Sequence, residues 1–527
     1  LFIMWKKFLA VGVLISVFGG VCTAFAYEVP RNIKVGLYFG NASKDSFSAS
    51  VSGNIRIGHV YDHTFYPQMT IHGSDVVVEK GGGAYLRSTN SYDTLEAAVL
   101  KAKELRGAGV YAYGGYIDGV SYVMTGIYGS AEEAASSVGD LAFTGLSFTP
   151  VSLDTKAVMV SAADCNIVFR HDAEIFAFGS ASGSTVSVLG GNYYGYIMAD
   201  RVNASKIAVV NLVSADDYVA CVVGSEMYAS WPIEALKAQA VIARTYAMTV
   251  SSYDKYGIDV TDDTRTQAYK GTAAETDATR RAAAETSGKV VLYNGKPAQT
   301  FFGASSGGKT ADVYSAWGGG QGLDYLQSVE DPYEDSENVA VWSVTYTADE
   351  VAQKLANAGV NIGRVTNIVV IERGEKDERV RKLRFDGTEG SHTVTFETCR
   401  TILGLKSQYY YIREENTGGA GAGGSASAPV LTADGTVSAI LNGAAVLGQN
   451  AVGTVENGVT VLGSGGSAYI DTAPVQTNMP KDSFTFDGRG HGHGIGLSQY
   501  GAKGMAEAGF TYDQILAHYY VGTTLSN

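Results

Sequence analysis

The stretch SADDYVACVVGSEMYASWPIEALKAQAVIARTYAMTV, Ser214 to Val250, decides how the rest of the chain is read. Ser230 or Trp231 can cap a helix whose first turn accommodates Pro232 and whose positive dipole end suits Glu234. Ile233, Leu236, Ala240, Ala243 and Ala247 recur every three or four residues, which predicts a narrow stripe of small side chains packed inward. Glu226 stands just before this helix, after the apolar run Tyr218 to Val223 and beside Met227, Tyr228 and Trp231. Desolvation penalises an ionised carboxyl, so Glu226 is expected to hold its proton toward neutral pH, as a general acid must.

The order DYV, SEM and WPIEALKAQAVIART within this stretch resembles the SpoIID/LytB family of sporulation and cell-wall proteins. Two further blocks carry the same resemblance in the same order, FFGASSGGKT at Phe301 to Thr310 and GRGHGHGIGLSQYGAKGMAEAGFTYDQILAHYY at Gly488 to Tyr520. The similarity runs from about Ile167 to Thr524, broken near 415 to 480, and IKVGLYFG at Ile33 to Gly40 is similar to the family's first strand.

The resemblance implies a strand-rich α+β fold and a lytic transglycosylase that cuts peptide-stripped peptidoglycan glycan strands between MurNAc and GlcNAc, leaving a 1,6-anhydro product. One carboxylic acid suffices for that reaction. It protonates the bridging oxygen and then takes the proton from the C6 hydroxyl, a nucleophile already tethered to the reacting sugar. Glu226 fits this single role. The other role the family name implies is non-enzymatic: a wall-binding enhancer of an N-acetylmuramoyl-L-alanine amidase.

The resemblance also places Arg244 at the site, holding the lactyl carboxylate of the muramic sugar or keeping Glu226 ionised in the second step. Ser305 and Ser306 lack the strand-turn-helix context of a G-x-S-x-G nucleophile, so their amides and hydroxyls are read as binding sugar or fixing the site. His493, Ser498, Gln499 and Tyr500 keep the family pattern, whereas His491 stands where the family usually has Trp. On an extended strand His491 and His493 would face one side as a metal pair, but a third ligand would have to come from afar, such as His518. Asp254 to Gly271 contains neither Cys nor His, so the zinc site of some family members is not expected there, and neither metal nor cofactor is assigned.

The chain has 527 residues, too many for one core. With 65 Gly, 33 Tyr and 17% charged residues, it reads as strands, turns and polar aromatics. A net charge of −14 argues against nucleic acid as a partner and against simple attraction to an anionic wall polymer. Lys6-Lys7, the apolar run from Phe8 and Ala24-Phe25-Ala26 predict export, with either cleavage before Tyr27 or retention of residues 1–26 as a membrane anchor. The expected location is therefore the cell wall or the outer face of the membrane. If Cys22 is removed, Cys165, Cys221 and Cys399 remain, widely spaced and odd in number, which predicts free thiols.

Short strands broken by Gly and Asn fill 27–85. A helix over YDTLEAAVLKAKELR, two strands in VYAYGGYIDGVSYVMTGIYG and an acidic helix start at Ser130 resemble a SPOR glycan-binding module over 86–155. Tyr111, Tyr113, Tyr116 and Tyr122 could then face sugars, or fill the sheet. The catalytic core is expected over 156–415, including a hairpin turned at Asn294-Gly295. A Gly/Ser linker and small β insert should occupy 416–480, and 481–527 should return to complete the core.

Overall fold

The computed structural model describes residues 30–201, 206–334, 341–413 and 482–526, with the backbone of four short strands between 436 and 462. The expected signal or anchor and the Gly/Ser linker lie outside the described residues. The four strands pair antiparallel, Thr436–Ala439 with Val459–Leu462 and Ala445–Gly448 with Ala451–Thr454.

The chain is mixed α+β, and two large sheets dominate its N-terminal half. A seven-stranded sheet runs Val260–Thr261, Asn32–Tyr38, Ala208–Ser214, Tyr196–Asp200, Ile175–Ser180, Ile55–Tyr61 and Thr64–Ile71. Ile33, Val35, Phe176, Phe178, Ile197 and Val209 alternate into its inner face, the period of a half-buried strand. A ten-stranded sheet contains a βαββαβ unit: Gly83–Ser88, helix α1 (Leu95–Gly107), Ala112–Ile117, Val120–Tyr128, the short helix Ala131–Ser136 and Phe148–Leu153. This split βαβ arrangement hosts many unrelated functions and assigns no ligand by itself. The unit does not stand apart from the chain around it. Ala112–Ile117 pairs in parallel with Cys165–Arg170, and Leu95 and Val99 enter the core shared with Phe47, Phe178 and Val209. Of its tyrosines, Tyr113 and Tyr116 fill the sheet, Arg87 covers the Tyr122 ring at 4.4 Å, and Tyr111 projects at 74% exposure.

The strand Ala208–Ser214 leads directly into α2 (Ala215–Glu226). Ser214 caps it by accepting from the Asp217 amide at 3.1 Å, and Asp216 and Asp217 occupy the positive end of the dipole. Helix α3 (Ile233–Ala247) begins one residue after Pro232, which is the cap, so neither Ser230 nor Trp231 serves. Its burial also exceeds the narrow stripe that the spacing predicts: Ala235, Leu236, Ala238 to Thr245 and Ala247 are all buried. The reason is that α2, α4 (Asp277–Glu285), α5 (Gln499–Glu507) and α6 (Tyr512–Tyr519) surround it, so its small side chains face neighbours on nearly every side. Glu234 accepts from the Tyr512 amide at 2.8 Å and pairs with Lys237, fastening α3 to α6.

Residues 341–413 and 482–489 form a second, smaller core around Trp342, Leu355, Leu383, Phe385, Tyr410 and Phe486. Ser483–Arg489 is its central strand, between Val341–Thr347 and Tyr410–Arg413. This strand delivers the C-terminal motif to the helices. Cys165, Cys221 and Cys399 are free, and burial pushes the Cys221 and Cys399 thiols up to about 12.

Candidate active site

Glu226 is the last residue of α2, where a chain of apolar positions gives way to the loop that turns into α3. Its Oε1 accepts a hydrogen bond of 2.8 Å from the amide of Ala268, in the polar loop after α3. That loop is held by Tyr218 of α2, whose hydroxyl donates to Gln267 Oε1 at 2.8 Å and whose ring stacks on Tyr269 at 5.3 Å. Burial raises the pKa of Glu226, opposed by the Ala268 amide, a hydrogen bond from Gln499 and the charge of Lys270. Burial dominates, so the neutral acid persists to higher pH than in water.

Gln499 arrives from the other end of the chain. The strand pair Phe302–Gly303 and Leu497–Ser498 runs in parallel, and the Tyr500 amide donates to the Ala304 carbonyl at 3.1 Å, so the block after Phe301 and the start of α5 lie side by side. Ser498 caps α5 through the Gly501 amide at 3.2 Å. From there Gln499 reaches Glu226 and also Gln239 of α3, at 3.5 Å. The next residue, Tyr500, meets Trp231 edge to face at 5.0 Å, and Trp231 meets Tyr228 at 5.7 Å. Tyr228 is 67% exposed, so an aromatic wall runs from the buried start of α5 to solvent beside the carboxyl.

Arg244 is placed elsewhere. It is buried at the far end of α3, where Nη2 donates to Asp216 Oδ1 at 2.8 Å and to the Ala283 carbonyl at 3.2 Å, and Nη1 to the Lys289 carbonyl at 3.2 Å. Asp216 lies at the opposite end of α2 from Glu226, about 15 Å away at 1.5 Å per residue. The guanidinium therefore clamps the start of α2 to the end of α4, and the expectation that it holds a substrate carboxylate beside Glu226 does not match its position.

Ser305 and Ser306 come close to the site through α5, but their loop is already occupied. Glu334 accepts from the amides of Ser306 at 2.8 Å, Gly307 at 2.7 Å and Gly308 at 3.0 Å, and from the Ser498 hydroxyl at 2.8 Å. The Ser306 hydroxyl donates to Asp331 at 2.9 Å, and Arg379 takes the Ser306 carbonyl at 2.7 Å. Of the two roles open to this loop, fixing the site is the one its contacts fit. Ser305 is buried and joined to His491 by paired backbone hydrogen bonds.

The His491–His493 segment is not an extended strand. Gly490, Gly492, Gly494 and Gly496 all have φ between 73° and 106°, a left-handed alternation that only glycine adopts cheaply, and it removes the common side the two imidazoles would need. His493 Nδ1 accepts from the Ile495 amide at 2.9 Å, its ring lies 5.4 Å from Trp317, and burial lowers its pKa to about 4. It is a neutral brace for the glycine loop. His518 Nε2 instead donates to the Glu330 carbonyl, 3.0 Å away, and no group of three metal-binding side chains occurs among the described residues.

Residues 203–293, which contain α2, α3, the Ala268 loop and α4, match the family described as Stage II sporulation protein, SpoIID. That stretch of the chain is similar to the SpoIID family. The chain is 29% identical over 320 residues to the amidase enhancer of Bacillus subtilis (strain 168), spanning 58% of this chain and 40% of that protein. It is 27% identical over 353 residues to Stage II sporulation protein D of the same organism, spanning 62% of this chain and 81% of the relative. An uncharacterized protein of Brachyspira hyodysenteriae is 28% identical over 357 residues, 67% of this chain and 76% of its own. The residues around the site that the sequence did not single out are Ala268, Lys270, Asp331, Glu334 and Arg379. The first two lie in a polar loop without motif character, and the acidic pair lies in a segment, DPYEDSE, that reads as surface.

Proposed function

We propose that this protein is a lytic transglycosylase acting on peptide-stripped peptidoglycan outside the cytoplasmic membrane, with Glu226 as its single acid and base. The observation that carries the reading is the Glu226 carboxyl, its pKa raised by burial at the meeting point of α2, the Ala268 loop and the start of α5. Protonated Glu226 gives its proton to the glycosidic oxygen as the C1–O bond of MurNAc breaks. The resulting carboxylate is held by the Ala268 amide and Gln499, and accepts the C6 hydroxyl proton as O6 closes on C1. No water is consumed. Tyr228, Trp231 and Tyr500 offer faces on which sugar rings can stack beside the acid. The βαββαβ unit over 83–153 supplies additional glycan contact in this scheme, with Tyr111 as its exposed aromatic. Incubating the protein with amidase-treated peptidoglycan and weighing the fragments tests the proposal: wild type should release 1,6-anhydro ends and Glu226→Gln should not.

A second reading is favoured by the likeness to a protein named amidase enhancer over 58% of this chain. Under it the same surface binds glycan and an N-acetylmuramoyl-L-alanine amidase is the partner. Faster peptide release by added amidase, without any 1,6-anhydro product, would select it. A role in sporulation follows the relatives named Stage II sporulation protein D and is part of the same proposal.

A further inference from the structure

The carboxylates of Asp331 and Glu334 lie side by side beneath the start of α5, and neither takes part in the chemistry above. Asp331 is 1% exposed and Glu334 9%. Asp331 accepts from the Tyr519 hydroxyl at 2.9 Å and from the Ser306 hydroxyl at 2.9 Å, and its own amide donates to the Gly308 carbonyl at 2.9 Å. Glu334 fills the cradle of three consecutive amides and accepts a hydrogen bond from the Ser498 hydroxyl. The Ser498 oxygen in turn accepts from the amides of Ser306 and Gly501, so the hydroxyl that caps α5 has every bonding direction engaged. The fit leaves no slack: a Cβ on Gly501 would meet the Asp331 oxygens at 2.4 Å and the Tyr519 hydroxyl at 2.1 Å. Gln499, next to Ser498, faces Glu226 and favours its ionised form.

We propose that Asp331 and Glu334 are positioning residues for the Glu226 site, acting through Ser306 and Ser498 to fix the first turn of α5 and with it the Gln499 amide. An isolated carboxylate pair so deeply buried is costly unless its partners are supplied, and here they are supplied by the two motif loops that must be held together. Arg379 reaches in from the second core and donates to the carbonyls of Ser306 at 2.7 Å and Lys309 at 3.0 Å, with Asp377 its main charge partner and Glu334 a lesser one. Around Glu226 itself the titratable neighbours are Lys270 and Tyr218. Gln499 favours the ionised form of Glu226, so loosening α5 must move the Glu226 titration to higher pH.

The inference rests on Glu226 as the acid, and its test separates the two ideas. The full chain is labelled with 13C at the glutamate side-chain carboxyl, and the Glu226 signal is assigned by its loss in Glu226→Gln. Titration then compares wild type with Glu334→Gln and with Ser498→Ala, which removes one hydroxyl and keeps the test alive should Glu334→Gln not fold. The expected result is an upward shift of the Glu226 midpoint in both variants, with kcat on stripped glycan lowered about 10- to 100-fold, the scale of a misplaced catalytic contact. If wild type cleaves no glycan but the midpoint still shifts, the positioning role stands and the transglycosylase reading falls. Folded variants whose Glu226 midpoint and cleavage both equal wild type would overturn the positioning role.

Discussion

Arg244→Ala is expected to cost stability rather than chemistry. The side chain is 1% exposed and gives up one charged hydrogen bond to Asp216 and two to the carbonyls of Ala283 and Lys289. Asp216 is 45% exposed and can turn to water, so its lost partner counts for less than in a fully buried pair. The two carbonyls and the cavity left by a large side chain keep the total at about 3–5 kcal/mol. Denaturant unfolding followed by near-ultraviolet circular dichroism would read that loss. Assayed at a temperature where the variant is folded, glycan cleavage should fall by less than about threefold, with the same pH profile. Arg244→Lys should recover only part of the stability, because an ammonium cannot serve three acceptors in one plane. A stability loss below about 1 kcal/mol together with a hundredfold loss of cleavage would refute this, since it would require the guanidinium to reach the substrate.

Glu226→Gln should lower cleavage by about a hundred- to ten-thousandfold, and it should hold or slightly raise stability at neutral pH. A carboxyl whose folded pKa is raised contributes stability at low pH and loses it as pH rises through that pKa, a loss the amide does not suffer; unfolding across a pH series checks this. Asp331 is raised to about 6 by burial and by Glu334, so its contribution, on the order of 2–3 kcal/mol, should be present below about pH 4 and lost between pH 4 and 6. Asp331→Asn should flatten the stability curve in that window. Tyr228→Ala should leave folding unchanged because the ring is 67% exposed, while KM for stripped glycan rises about three- to tenfold.

How far the sequence speaks for itself depends on the range of each interaction. The desolvated setting of Glu226 was legible because it is local: the apolar run of α2 and the aromatics after it sit within a few residues. The hairpin at Asn294-Gly295 was legible for the same reason, with Asn294 at φ 50° and Gly295 at φ 74°. Arg244 follows a family motif, yet a clamp to Asp216 sits at the wrong end of a helix, and nothing in the spacing reveals which end the chain will use. The Ser305-Ser306-Gly307-Gly308 amides suggest an empty cradle, but the carboxylate that fills it is Glu334, and the hydroxyl beside it comes from Ser498. Periodicity under-reads α3 because a helix packed by four others loses its polar face, and small residues such as Ala give no sign of which side is covered.

Under the proposed transglycosylase reading, the position of Glu226 on its helix bears on how one group would serve in both steps. Being the last residue of α2, it sits at the negative end of the helix dipole, which disfavours a second negative charge there and adds to the effect of burial. Alone, these two influences would make a strong proton reservoir and a carboxylate too unstable to form, so the first step would be costly however well the substrate is placed. The Ala268 amide and Gln499 act in the opposite sense, because both donate to the ionised form. Each comes from outside the helix, one from the loop braced by Tyr218 and Gln267, the other from α5. The balance between acid and base is therefore set by three separate pieces of chain meeting at one carboxyl. Shifting any one of them should change which of the two proton transfers limits the rate, while leaving the fold of α2 intact.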